Sequence, residues 1–154
     1  MSVPLNTLGV VKRTIERTDP AIVEKLSQFG VATIHEAMGR VGLLKPYIRP
    51  IYTGAHLCGT AVTILAQPGD NWMLHVAAEQ LRPGDIAVIG CTADNTDGMF
   101  GDLLATSYRA QGARGLITDA NYWGGAKRSS RPWEWARWKP FQIVLVGGPG
   151  LTAA

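Results

Sequence analysis

The chain has 154 residues, 46% of them hydrophobic, which is the size and apolar content of one ordinary domain able to bury a core. No apolar run approaches the roughly 18–20 residues needed to cross a bilayer, and the opening MSVPLNTLGVVKRT lacks a signal-peptide pattern, so a soluble, cytoplasmic protein is expected. The net charge of +3 would suit a polyanion ligand if spread over one face, but residues 1–119 carry ten Lys/Arg against eleven Asp/Glu; the excess is Lys127, Arg128, Arg131, Arg137 and Lys139, opposed only by Glu134.

The first predicted element follows Asp19-Pro20, an N-cap with proline at the first helical position; Ile22, Val23, Leu26 and Phe29 should face inward, with Gly30 as the stop. A second short helix is expected in TIHEAMGR, where Thr33 and Glu36 have capping-box spacing and Gly39 supplies the exit. Capping accounts for Glu36, and the adjacent His35 reads as a packed residue rather than a catalytic one.

Two strand-like runs come next, TAVTILA at 60–66 and IAVIG at 86–90, separated by a helical stretch from Asn71 to about Gln80 and the turn RPGD. A loop rich in Asp, Asn, Thr and Gly (92–98) leads to a helix from about Asp102 to Gln111 and the strand GLITD at 115–119. This rhythm predicts an α/β domain with a partly parallel sheet. Asp94 and Asp97 read as a solvated turn, since their spacing does not suit a calcium loop. Cys58 and Cys91 lack C-x-x-C spacing and are expected to be free, buried or incidental thiols.

Strand ends and helix starts collect ligands in α/β folds, because backbone N–H groups there attract negative charge. One candidate is QPGDNWMLHVA (67–77), in which Asp70 or Asn71 starts a helix and Asn71 and His75, spaced i, i+4, either face one pocket or serve as a cap and a core histidine. Another is TDGMFGDLLATS (96–107), where Gly98 and Gly101 free the backbone and Asp102 is either an N-cap or a group beside an anionic substrate.

At three segments the sequence resembles a known family: GVATIHEAMGRVGLL (30–44), GDNWMLHVAAEQLRPGD (69–85) and TDGMFGDLLATSYRAQGARGLITDA (96–120), in order and at compatible spacing. They are similar to the RraA-like family, above all to its branch of 4-hydroxy-4-methyl-2-oxoglutarate and 4-carboxy-4-hydroxy-2-oxoadipate aldolases of aromatic-acid degradation, which also decarboxylate oxaloacetate. The resemblance implies a swivelling β/β/α domain, assembled as a homotrimer or hexamer with sites between subunits. It also implies a divalent metal, Mg²⁺ or Mn²⁺, and a small di- or tricarboxylate hydroxy-oxo acid as substrate. In that likeness the backbone of Gly101, Asp102, Leu103 and Leu104 holds the pyruvyl group. Asp102 serves in proton transfer through a metal-bound water, and Asn71 and His75 line the pocket.

The likeness ends in a definite place. The family continues Asp-Gly/Ala-x-x-Arg-Asp, an arginine for the substrate carboxylate and an aspartate for the metal, whereas this chain reads Asp119-Ala120-Asn121-Tyr122-Trp123-Gly124. Trp123 stands at the arginine position and Gly124 at the metal-ligand position, so metal binding and activity are expected to be impaired. Residues 1–120 are therefore read as the N-terminal part of an RraA-like aldolase domain. Residues 121–154 are read as a divergent basic tail holding four of the five tryptophans, and the C-terminal part of the sheet is expected to be missing or altered. A change of reading frame near codon 120 would produce such a tail. Two further functions are weighed: a non-enzymatic regulator binding ribonuclease E, as in the family's name-giving branch, and stacking of nucleic-acid bases on Trp133, Trp135 and Trp138 beside Arg137 and Lys139.

Overall fold

The structure is a computed structural model and describes residues 9–46, 48, 56–94 and 96–119, together with the backbone of 121–122 and 143–146. The tail residues Trp133, Trp135, Arg137, Trp138 and Lys139 lie outside the described residues. Helix α1 (Pro20–Leu26) starts as expected: the Asp19 carboxylate accepts the Ala21 N–H at 2.8 Å, and Pro20 takes the first helical position, where no N–H is needed. Its inward face is narrower than predicted. Val23 is buried and Leu26 packs beside it on Cys58, but Ile22 is 49% exposed, and Phe29, which lies beyond the end of the helix at Leu26, is 52% exposed.

Gly30 does not end α1. It is the N-cap of α2 (Val31–Ala37), with extended backbone (φ −68°, ψ 147°) and its carbonyl accepting the Ile34 N–H. Thr33 is consequently inside the helix, and the capping box expected with Glu36 is not formed. Glu36 instead reaches Arg40 at 3.9 Å, an exposed pair, and His35 Nδ1 lies 3.2 Å from the Val41 carbonyl. Gly39 does supply the exit, at φ +76°.

Strand β1 (Leu57–Ala66) begins three residues earlier than the alternating pattern suggested, and β2 (Asp85–Cys91) pairs with it in parallel, from Thr60 with Asp85 to Ala66 with Cys91. Between them α3 (Trp72–Ala78) buries Leu74, Ala77 and Ala78. A short strand β3 (Gly98–Phe100) leads into α4 (Asp102–Ala110), which buries Leu104, Ala105 and Tyr108. Two more short strands follow: β4 (Gly115–Thr118), parallel to β2, and β5 (Asn121–Tyr122), parallel to β3. Last comes β6 (Ile143–Val146), which lies parallel to Leu57–Thr60 of β1. The main sheet thus has the order β4-β2-β1-β6 with every pairing parallel, and the α/β architecture expected from the strand, helix, strand rhythm is present.

The main core lies between that sheet and the pair α3 and α4: Val62, Ile64 and Ala66 of β1 and Ala87 and Ile89 of β2 meet Leu74, Leu104 and Tyr108. Tyr108 ties the two helices together. Its hydroxyl donates to the Leu74 carbonyl at 2.9 Å, and its ring meets Phe100 edge-on with centroids 5.1 Å apart. The opposite face carries a smaller cluster of Leu57, Ile86 and Ile117. Gly59 is where β1 meets the RPGD turn most closely, since a Cβ there would strike the Gly84 carbonyl. Cys58 is a buried thiol whose pKa is raised by that burial, against a smaller opposing effect of Arg114; neither it nor the half-buried Cys91 is in a disulfide.

Candidate functional site

Parallel pairing sends the C-terminal ends of β1, β2 and β4 to one edge of the sheet, at Ala66, Cys91 and Thr118. That edge is laced by short-range polar contacts. Thr92 N–H donates to the Ala66 carbonyl at 3.0 Å and Thr92 Oγ1 to Gln67 Oε1 at 3.0 Å, joining the loops that leave β1 and β2. Asp119, one residue beyond β4, accepts the Cys91 N–H on both oxygens, at 3.0 and 3.3 Å. Gly69, at φ +75°, comes close enough to Asp97 that a Cβ would touch its carboxylate at 3.8 Å.

Two helices open on this edge. At α3 the capping bond comes from Asp70, whose Oδ1 accepts the Trp72 N–H at 2.8 Å; Asn71 occupies the N-cap position but makes no side-chain cap. His75 N–H bonds the Asn71 carbonyl at 3.3 Å, so the two residues stand one turn apart, and both are exposed. His75 is therefore not a core histidine. At α4 the N-cap is Gly101, in extended backbone (φ −143°), and Asp102 is the first helical residue rather than the cap. The first bond of α4 runs from Ala105 N–H to the Gly101 carbonyl, leaving the amides of 102–104 outside the intrahelical ladder. Their side chains differ sharply: Leu103 is 87% exposed and Leu104 is in the core. Any ligand role of Leu104 belongs to its backbone.

The second strand pair bears on the same place. Tyr122 of β5 is the partner of Phe100, the residue before Gly101, so the chain leaves β5 beside the start of α4. The next residues in sequence, Trp123 and Gly124, lie outside the described residues. His35 and Glu36 do not join this edge: α2 packs by Val31 and Ile34 on Cys58, at the opposite end of β1 from Gln67. A shallow cleft of about 1000 Å³ runs between residues 9–16, β1 and α3, lined by Val10, Leu65, Trp72 and Met73 among others. It flanks the candidate edge without including Asn71, His75 or the start of α4. Gln67, Thr92 and the anchoring contact of Asp119 were not singled out from sequence; the available signal was a polar residue directly after the end of each of these parallel strands.

The pattern of the RraA-like family (Aldolase/RraA) matches residues 31–122, more than half of the chain. The chain belongs to the RraA-like family. The match ends one residue before Trp123. Among RraA-like relatives, a protein of Halalkalibacterium halodurans provisionally named 4-hydroxy-4-methyl-2-oxoglutarate aldolase is 28% identical over 86 residues, covering 56% of this chain and 41% of that protein. Two solved structures share the fold. One is Streptomyces coelicolor RraAS2, described as an unusual member of the RNase ES inhibitor RraA protein family, with TM-score 0.56 and 22% identity over 69% of this chain and 57% of that one. The other is an uncharacterised protein of Pseudomonas syringae pv. tomato, with TM-score 0.56 and 20% identity over 74% and 53%. The chain spans about half the length of these RraA-like proteins or less.

A divalent cation such as Mg²⁺ or Mn²⁺ needs oxygen donors converging at about 2.0–2.2 Å. Of all the His, Cys, Asp and Glu residues only Glu134 lies outside the described set, and among the described residues no three gather where they could share an ion. Asp70 and Asp119 at this edge are engaged with backbone N–H groups. Trp123 and Gly124, the positions at which the resemblance implies an arginine and a metal-binding aspartate, lie outside the described residues. Among the described residues, then, no donor set is assembled for the cation.

Proposed function

We propose that this chain is by descent a carbon–carbon lyase of the aldolase branch, binding a small hydroxy-oxo acid of the 4-hydroxy-4-methyl-2-oxoglutarate type at the mouth of α4, with turnover strongly impaired. The observation that carries the reading is the start of α4. Gly101 to Leu104 bring a helix N-terminus, with amides outside the intrahelical ladder and an acidic Asp102, to the C-terminal edge of a parallel sheet, where the exposed Asn71–His75 pair also stands. In this reading the amides of 102–104 take the carboxylate of the pyruvyl group, and Asn71 and His75 orient the rest of the molecule. The site works within a cytoplasmic homo-oligomer, a trimer or hexamer.

Retro-aldol cleavage removes the proton of the C4 hydroxyl, breaks C3–C4 and leaves the electron pair on a pyruvate enolate. Oxaloacetate decarboxylation reaches the same enolate by loss of CO₂, so one site serves both. The enolate needs positive charge or aimed donors. Here the helix N-terminus supplies part of it, the equivalent of about half a charge, but Trp123 and Gly124 remove the arginine clamp and the carboxylate ligand. Losing even one well-placed electrostatic group commonly costs about 10²–10³ in rate.

Pyruvate release from the hydroxy-oxo acid and from oxaloacetate, followed with and without Mg²⁺, tests this. Rates near background under both conditions are expected; efficient Mg²⁺-dependent turnover would overturn the impairment. The same substitutions favour a second, non-enzymatic reading, a regulator that binds ribonuclease E, which fits the description of the Streptomyces protein. Retention of ribonuclease E on the immobilised chain, together with absence of oxo-acid binding, would replace the first reading by the second.

A further inference from the structure

The two edges of β1 are covered at different ends. β2 pairs with Thr60–Ala66, whereas β6 pairs with Leu57–Thr60 and stops; among the described residues no strand lies beside 61–66 on the β6 edge. The direction of the backbone groups there follows from one bond: the Ala66 carbonyl accepts the Thr92 N–H on the β2 side. Successive residues of a strand turn their N–H and C=O to alternate edges, so those of Ala61, Thr63 and Leu65 point to the β6 edge. Such an edge is a template for a further strand. It opens on the cleft walled by residues 9–16, where Thr63 is exposed and Leu65 is 66% exposed.

We infer that residues 147–152 continue β6 along this edge in the same parallel register, so that the chain closes its own open strand. Val146 lies level with Thr60. An unbroken register then sets Gly147 level with Ala61, Pro149 with Thr63 and Leu151 with Leu65. The sequence GGPGLT suits that placement. In a parallel ladder the residue level with an edge-facing one turns its own N–H away, so Pro149 falls where no N–H is needed, the one orientation in which an edge strand tolerates proline. Gly148 and Gly150 donate to the carbonyls of Ala61 and Thr63. They stand level with Val62 and Ile64, on the face where Ile15 packs against the core, and the lack of a side chain leaves room there for residues 9–16. Leu151 falls on the opposite face and covers Leu65. None of this depends on the oxo-acid reading.

Hydrogen exchange followed by NMR reads the pairing amide by amide, in the full chain, in a chain ending at Val146, and in the full-chain variants Gly147→Pro and Gly150→Pro. Rates are taken relative to Ala105, whose N–H is bonded to the Gly101 carbonyl within α4, so that a general loss of stability is not mistaken for loss of this strand. When the chain ends at Val146, the Thr63 and Leu65 amides should exchange roughly three- to tenfold faster, the scale of one backbone hydrogen bond. Ala61, whose acceptor in this register is Val146, should keep its rate. Gly150→Pro removes the donor to the Thr63 carbonyl and should show the same acceleration, whereas Gly147→Pro should not. Equal rates in the full chain and the chain ending at Val146 overturn the inference. So does protection that survives the truncation and grows with protein concentration, which assigns the edge to a second copy. An acceleration in Gly147→Pro equal to that in Gly150→Pro also overturns it, because the segment then lies in another register.

Discussion

Arg17 grips Asp85 from outside the sheet. Its Nη2 lies 2.9 Å from Asp85 Oδ2 and its Nε 3.2 and 3.3 Å from the two carboxylate oxygens, while the same Nη2 donates to the Gln80 carbonyl at 2.7 Å. Asp85 also accepts the Arg82 N–H at 2.8 Å, closing the RPGD turn at the start of β2. The pair therefore pins the segment before α1 to the connection between α3 and β2. Its two side chains are unequally placed, 18% exposed for Arg17 and 2% for Asp85. Arg17→Met strands a buried carboxylate and should cost about 3–5 kcal/mol. Asp85→Asn should cost less, because it keeps an acceptor for Arg82 and leaves the arginine within reach of water. Urea denaturation midpoints of the two variants give the order, and an Asp85→Asn loss exceeding that of Arg17→Met would contradict it.

At the start of α4, neighbouring leucines separate a structural role from a site role. Leu103 is 87% exposed, whereas Leu104 belongs to the main core with Leu74 and Tyr108. Leu104→Ala should destabilise the fold by about 2–5 kcal/mol through the cavity it leaves. Leu103→Ala should change stability by no more than about 0.5 kcal/mol. Thermal unfolding of both distinguishes them, and an equal loss in Leu103→Ala would mean its side chain is covered in the working assembly.

The sheet was legible because TAVTILA and IAVIG carry the strand signal in their own side chains, and the helix expected from about Asp102 to Gln111 is present as α4, though its buried face of Leu104, Ala105 and Tyr108 was not singled out from sequence. Caps were less legible. Thr33 and Glu36 have the right separation for a capping box, yet Gly30 is the N-cap of α2, about one turn earlier, which leaves Thr33 inside the helix. Candidate site residues were found where they open helices, as at Asn71 and Asp102. The Arg17–Asp85 pair, 68 residues apart in sequence, has no local signature at all.

Tyr108 gives the fold a dependence on alkaline pH. Burial pushes its phenol well above the ordinary value, and its hydroxyl must stay protonated to donate to Leu74. In the unfolded chain the phenol ionises near the usual value of about 10. A group whose pKa is raised on folding contributes stability that is intact below the unfolded value and lost as pH rises toward the folded one. Stability should therefore begin to fall above about pH 10. Tyr108→Phe should lower stability at neutral pH by about 1 kcal/mol for the lost hydrogen bond and flatten the alkaline decline. Denaturation followed from pH 8 to 11 reads both effects, and an unchanged slope in Tyr108→Phe would assign the decline to other groups.

Strand β6 connects the tail to the domain, and this makes the tail testable. Ile143–Val146 pair with Leu57–Thr60, and all four of those β1 residues are buried. If residues 121–154 were only an appended segment, ending the chain after Tyr122 would leave stability unchanged. The pairing predicts the opposite: truncation strips one edge of β1 of its ladder and exposes Leu57 and Cys58. At about 1 kcal/mol for each of a few backbone hydrogen bonds, plus the uncovered apolar surface, the loss should reach roughly 2–4 kcal/mol. Cys58 provides a second readout, because its thiol is buried in the full chain and held at 3.4 Å from the Val23 carbonyl. In the truncated protein it should react faster with a thiol reagent, while Cys91, on the far side of the sheet's C-terminal edge, should not change. Equal Cys58 reactivity and equal midpoints in both proteins would show that β6 contributes nothing to the fold.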